Sequence, residues 1–174
     1  MKLFFVLLLT FILLGCGAEP DAATQDTSPA SGTQRTDAGL EQLSGLLGLK
    51  SLDLSNWQIT DAGLVHLKGL TRLEDLNLNK TEITDAGLQH LKELTSLRSL
   101  WLNDTQITDA GLQHLKELTS LEGLILTNSQ ITDAGLQHLK ELTSLEGLWL
   151  NDTQVTDAGL SEIRAALPNC YVEL

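Results

Sequence analysis

Four histidines, His66, His90, His114 and His138, and six aspartates that each follow a threonine, Asp37, Asp61, Asp85, Asp109, Asp133 and Asp157, are the residues here best suited to chemistry. Within each set, every member stands 24 residues after the one before. Imidazoles and carboxylates build metal sites and acid–base pairs. The spacing argues against both. A catalytic group is normally unique, whereas these recur with the chain's own period. A zinc ligand sits about 2 Å from the metal, while side chains one period apart lie on neighbouring elements packed about 8–10 Å apart. No cysteine or second histidine within a unit completes a site, and no nucleophile elbow, phosphate loop or metal motif occurs. The histidines read as a solvated helix face. No enzyme activity, cofactor or metal is expected.

Two cysteines remain, Cys16 and Cys170, too few for a disulfide framework or a zinc pattern. Cys170, in Leu167-Pro168-Asn169-Cys170, reads as a partly buried structural residue. Cys16 closes a leader, MKLFFVLLLTFILLGC, with one positive charge at Lys2 and an apolar run from Leu3 to Leu14. That run is short for a bilayer span and suits the apolar region of a secretory signal.

Leu13-Leu14-Gly15-Cys16 resembles the lipobox of bacterial lipoproteins. The resemblance implies a signal peptide over residues 1–15 and a mature chain that begins at a Cys16 lipidated on sulfur. Several acyl chains together make anchoring stable. It further implies export to the cell envelope. Gly17 in place of Asp after the cysteine favours the outer membrane or cell surface over the periplasmic face. Residues 17–35, GAEPDAATQDTSPASGTQR, lack apolar periodicity and read as a disordered linker. As a flexible chain they would reach roughly 25 Å.

The elements that position everything else begin at Thr36. Thr-Asp pairs at 36, 60, 84, 108, 132 and 156 set a fixed period of 24, and a fixed period in the twenties marks a solenoid. Two copies of ITDAGLQHLKELTSLEGL, at 107–124 and 131–148, are identical. In the unit 85–108, Leu97-x-x-Leu100-x-Leu102 has the alternation of a short strand with one buried face. A helix is expected from Asp85 to about Glu93, capped by Thr84 or Asp85. Aromatics are only 4% of the chain, so the core must be leucine. One unit cannot bury its own aliphatic line, but stacked neighbours can. The glycines at 39, 63, 87, 111, 135 and 159 cost helix stability and imply a close backbone approach between neighbouring elements.

The pattern L-x-x-L-x-L-x-x-T-x-I-T-D-x-G-L-x-x-L resembles the leucine-rich-repeat family, in particular the helix-bearing units of ribonuclease-inhibitor-type and F-box-associated repeats. The resemblance covers about residues 36–174. It implies an α/β fold: a right-handed solenoid with a parallel β-sheet on the concave face and short α-helices on the convex face. Those families often place Cys or Asn where this chain has Thr81, Thr105, Ser129 and Thr153. A hydroxyl there can still satisfy main-chain groups at the strand exit. A ubiquitin-ligase adaptor role does not follow, because an export signal and a stalk precede the repeats.

With the scaffold positions subtracted, the outward positions of the sheet remain. The middle residue of L-x-L reads Asp53, Asn77, Trp101, Ile125, Trp149, Glu173 along the stack. The outward column before it holds Ser51, Asp75, Ser99, Gly123, Gly147 and Tyr171, whose small members are expected to leave the aromatic faces uncovered. An apolar stripe of Trp101, Ile125 and Trp149, rimmed by Asn103, Asn151, Asp104 and Asp152, has the composition of a binding surface. A protein partner is expected there. A glycan grip on the same aromatic face, and a structural envelope component that self-associates through its last edge strand, are the alternatives. Trp57 reads as a cap on the N-terminal end of the core. A formal charge of −12 argues against nucleic acid as a partner, and the chain is expected to be monomeric.

Overall fold

The structure, a computed structural model, describes residues 35–174. The expected signal peptide, Cys16 and the linker up to residue 34 lie outside the described residues. Among the described residues no helix is long and apolar enough to cross a membrane.

Each L-x-L motif forms a three-residue strand: β1 (Ser51–Asp53), β2 (Asp75–Asn77), β3 (Ser99–Trp101), β4 (Gly123–Ile125), β5 (Gly147–Trp149) and β6 (Tyr171–Glu173). All five pairings are parallel and in sequence order, giving one open six-stranded sheet. Every residue therefore stacks on its counterpart 24 positions away. A parallel pair needs a crossover. Here each crossover carries a short helix on one side of the sheet, in the right-handed sense such connections take. The leucines between the two layers are shut off from solvent. Leu100, Leu102, Ile107, Leu112, Leu115 and Leu118, one repeat's worth, are each 0% exposed. Trp57 is buried in the same core.

The helices are shorter than expected. They are α1 (Asp37–Glu41), α2 (Asp61–Leu64), α3 (Asp85–Leu88), α4 (Asp109–Leu112), α5 (Asp133–Leu136) and α6 (Asp157–Ala166). The helix expected to run to Glu93 ends at Leu88. The cause lies in the spacing. Leu88, Leu91, Leu94 and Leu97 are three apart, the repeat of a 3₁₀ helix rather than the 3.6 of an α-helix. The main chain follows: Leu91 N–H donates to Leu88 O (3.0 Å), Leu94 to Leu91 (2.9 Å) and Leu97 to Leu94 (3.0 Å). Among the described residues only α6 has the mixed three-and-four spacing of an α-helix, at Leu160, Ile163 and Leu167, and only it reaches ten residues.

The Thr-Asp pairs do two separate jobs. In α2, α3, α4 and α5 the threonine hydroxyl caps its own helix, as when Thr108 Oγ1 accepts from Ala110 N–H at 3.3 Å. The aspartate reaches forward into the next repeat instead. Asp85 Oδ1 accepts from Thr108 N–H (2.8 Å) and Asp85 Oδ2 from Thr108 Oγ1 (2.5 Å). The same fork joins Asp37 to Thr60, Asp61 to Thr84, Asp109 to Thr132 and Asp133 to Thr156. These charge-assisted forks explain the glycines. A Cβ at Gly63, Gly87, Gly111, Gly135 or Gly159 would overlap the carboxylate of the preceding repeat. The close approach expected of the glycines is thus to a side chain, not to backbone.

The strand exits carry a second regularity. Thr81, Thr105 and Thr153 hydroxyls each donate to the carbonyl three residues back at 2.7 Å, while the buried Ser129 Oγ finds no partner. One residue earlier the chain turns with positive φ at Asn56 (60°), Lys80 (57°), Asp104 (55°), Asn128 (54°) and Asp152 (57°). Asn and Asp tolerate this left-handed region, but a long unbranched side chain gains nothing from it. Lys80→Asn is therefore expected to stabilise the protein by up to about 1 kcal/mol, raising Tm by about 2–4 °C in a thermal melt.

The two ends of the sheet differ. At the C-terminal end, the Val172 carbonyl points away from β5 and accepts from Arg164 Nη2 at 2.8 Å, so α6 covers part of that edge. At the N-terminal end, Leu46 and Leu47 are 44% and 59% exposed.

Candidate functional site

The parallel register decides what meets on the open face of the sheet. Trp101 stacks on Ile125, Ile125 on Trp149, and Trp149 on Glu173. The three apolar side chains thus form one continuous row across β3, β4 and β5, each half-buried. Asp53, Asp75 and Asn77, with Ser51 and Ser99, make the other half of the face polar.

Gly147 does more than leave room. A Cβ there would come to 2.5 Å from Trp149 Cη2 and 2.7 Å from Cζ3. The outer edge of the indole therefore lies against Gly147, which is buried. Trp149 is thus engaged by its own strand and half-buried, contrary to the expectation of uncovered rings. On its far side Tyr171 stands 6.5 Å away, centroid to centroid, at an interplanar angle of 59°, within the range of favourable aromatic pairs. Tyr171 is 61% exposed, and its hydroxyl donates to Glu173 Oε2 at 3.3 Å. The sequence reading placed Tyr171 in the outward column but not in the stripe. The signal that places it in the row is its register opposite Gly147.

Three of the four polar residues expected to rim the stripe are hydrogen-bonded to the scaffold. Asn103 Oδ1 accepts from Thr127 N–H (3.2 Å), and Asn103 N–H donates to Asn79 Oδ1 (2.8 Å). Asn151 Nδ2 donates to Glu173 Oε1 at 3.4 Å. Asp104 and Asp152 are left-handed turn residues, and Asp104 Oδ1 accepts from Asn128 Nδ2 at 2.5 Å. All four lie at the strand exits beside the row, with Asp104 and Asp152 exposed and Asn103 and Asn151 half-buried.

Electrostatics divides the face further. Burial pushes the Asp75 carboxyl above the usual carboxylate range, opposed by its hydrogen bond with Ser99. At the strand entries, Lys50 pairs with Glu74 (2.6 Å) and Arg98 with Glu122 (2.5 Å). Their exposed partners make these pairs worth little in stability. They close a shallow groove lined by Ser96, Ser120 and Ser144.

The convex histidines hold no chemistry in common. His66, His90 and His114 are half-buried and His138 is exposed. His90 Nδ1 is buried without a partner, and burial, then Lys68, lowers its pKa. Among the described residues no His, Cys, Asp or Glu cluster could hold a metal.

Cys170 is buried, and burial pushes its thiol up to about 11. It stays protonated and unreactive at neutral pH. Between its ordinary value near 9.0 and about 11, the unfolded chain loses a proton that the folded chain keeps. Stability from this group is therefore complete below pH 9 and declines as pH rises through that window. Cys170→Ser is expected to lose less stability than wild type between pH 8 and pH 10.5, read from urea midpoints.

Residues 71–117 match a family model described as leucine rich repeats in two copies, and residues 49–67 match a second leucine-rich-repeat model. Among solved structures, an internalin (inlF) from Listeria monocytogenes matches with a TM-score of 0.66 and 28% identity, over 76% of this chain and 36% of that one. An internalin C2 (inlC2) from the same bacterium matches with a TM-score of 0.66 and 32% identity, over 77% of this chain and 55% of that one. The chain thus spans only part of the length of either internalin. No curated protein matches it in sequence.

Proposed function

The chain is a leucine-rich-repeat protein, and from that premise we propose that it is an exported, lipid-anchored module that binds a protein partner through the open face of its sheet. Repeats of this kind are binding scaffolds whose stacked strands present an extended surface. The observation that carries the proposal is the unbroken row of Trp101, Ile125 and Trp149, continued by Tyr171, on a face otherwise built of short polar groups. Large aromatics of this kind anchor interfaces because they bury much area at little entropic cost. Trp149 already rests against Gly147, which reduces the ordering left to be done on binding.

The anchoring half of the proposal rests on Leu13-Leu14-Gly15-Cys16. In it, residues 1–15 are removed, Cys16 carries the acyl chains, and residues 17–35 tether the repeats of 36–174 to the envelope, at the outer membrane or cell surface. Asn103, Asn151, Asp104 and Asp152 form the rim. No cofactor or metal takes part in this reading.

Two experiments test it in living bacteria. A photo-crosslinking amino acid at Ile125 should capture a partner of defined mass, and the same probe at Gln113 on the convex side should not. Equal capture at both positions would remove the open face as the site. Cys16→Ser should move the protein from the membrane fraction to the soluble fraction. A variant that stays membrane-bound and still takes up labelled palmitate would refute the anchor.

A further inference from the structure

The sheet has two edges, and they differ in how their outward groups are met. At β6 the outward carbonyl of Val172 is taken by Arg164. At β1, Lys50 O accepts from Asp75 N–H and Leu54 N–H donates to Asn77 O, both 2.9 Å. In a parallel ladder, alternate residues face the same neighbour, so Ser51 and Asp53 turn their N–H and C=O groups the other way. These four groups have no partner among the described residues. Beside this edge lies the turn before β1, with exposed Leu46 and Leu47 and, at Gly45 and Gly48, open space around the backbone.

We infer that β1 pairs antiparallel with β1 of a second copy about a two-fold axis at Leu52. The edge is complementary to itself in that register. In an antiparallel pair, directly opposed residues alternately exchange both hydrogen bonds and none. With Leu52 opposite Leu52 in a non-bonded pair, Ser51 of each copy opposes Asp53 of the other in a bonded pair. All four free groups on each chain are then satisfied. A shift by one residue satisfies none of them, and a shift by two leaves half unsatisfied.

The side chains agree with that register. Ser51 and Asp53 are both on the open face, so the two-fold brings each hydroxyl beside a carboxylate. The same opposition exists within the chain, where Ser99 stands beside Asp75 on β3 and β2 and favours its carboxylate. Asp53 Oδ1 accepts from Ser55 N–H at 2.9 Å, which leaves Oδ2 for the partner's serine. Head-to-tail growth is disfavoured, because Arg164 already engages the carbonyl it would need. The product is a closed dimer, in contrast to the monomer expected from the sequence. Its two sheets are continuous across the junction, and both open faces point the same way. For anchored copies this doubles the valency of the binding face.

The register makes the test specific. Two differently tagged full-length chains are co-expressed in a bacterial envelope, one carrying Ser51→Cys and the other Asp53→Cys, both with Cys170→Ser, and mildly oxidised. A bonded antiparallel pair places the Cα atoms about 5.5 Å apart, inside the disulfide range. A heterodimer linked by a disulfide is expected in the mixture and not when both chains carry the same cysteine. Cys16 is common to every pairing, so its background cancels. No mixture-specific band, equal bands in all pairings, or a cysteine linked to a protein of another mass would overturn the inference. As a second measurement, the otherwise native full chain in detergent should have the mass of two copies by light scattering. Ser51→Pro removes only an outward donor at the first residue of an edge strand, where proline is tolerated, and should halve that mass. A monomeric native chain, or a Ser51→Pro dimer, would overturn it as well.

Discussion

Gly111→Ala is expected to destabilise the protein by about 2–3 kcal/mol, even though alanine is the better helix former by about 0.5–1 kcal/mol. The sign reverses because the added methyl would overlap Asp85 Oδ1, with Ile107 Cγ2 also only 3.1 Å away. That carboxylate is not free to swing aside. It holds the Thr108 N–H and hydroxyl of the next repeat, and hydrogen bonds to a charged group contribute about 1.5–3 kcal/mol. Asp85→Ala should cost about as much on its own, by leaving Thr108 without its acceptor. The double variant is the informative one. Once Asp85 is gone the methyl at 111 has room, so Asp85→Ala/Gly111→Ala should be little worse than Asp85→Ala alone. An interaction energy of about 2 kcal/mol in the double-mutant cycle, read by urea unfolding, is the expected result. Additive losses would mean that the glycine serves something other than the aspartate.

That coupling shows where the sequence is readable and where it is not. The strands are legible because L-x-L alternation has a single geometric meaning, and each strand falls within one residue of its motif. The stacking is legible because a strict period of 24 leaves no choice of register. The helix length was open to a closer reading. Leu88, Leu91, Leu94 and Leu97 keep a spacing of three that an α-helix cannot hold on one face, and α3 stops at Leu88 accordingly. The forward reach of Asp85 was not legible. A carboxylate at a helix start always suits the helix dipole, and only the stacked geometry shows that its oxygens are spent on the next repeat. The column Asn56, Lys80, Asp104, Asn128, Asp152 carried a signal of its own. Four of its five members are Asn or Asp, the residues that tolerate positive φ. The sequence reading took them for polar rim and missed the turn. Tyr171 and Arg164 belong to the last repeat, where periodicity stops constraining the chain. They matter through contacts at the C-terminal edge that only the fold shows.

Binding should respond to Trp101 and Trp149 unequally. Trp101→Ala is expected to weaken the partner by about 2 kcal/mol or more, some 30-fold in Kd, as for a central aromatic hot spot. Trp149→Ala should weaken it at least as much, because losing the indole also uncovers Gly147 and leaves Tyr171 without its ring contact. It should in addition lower Tm by a few degrees, since the ring is packed on its own strand, whereas Trp101→Ala should leave Tm nearly unchanged. Gly147→Ala supplies an independent check. Its methyl would lift the indole off the strand, so it should impair binding without removing any apolar side chain. The four residues of the rim should matter less for affinity, since Asn103 and Asp104 are engaged by the scaffold. Substituting Asn103 should appear mainly as lost stability.

The most direct test of the central claim is the affinity of the partner captured through Ile125, measured against wild-type protein and against Trp101→Ala/Trp149→Ala. Both proteins must show a cooperative unfolding transition above the temperature of the assay. The proposal predicts a loss of at least a hundredfold in the double variant, with binding unaffected by a matched pair of substitutions at Gln113 and Gln137 on the convex side. Equal affinity for wild type and the double variant would contradict it and would move the binding site off the sheet.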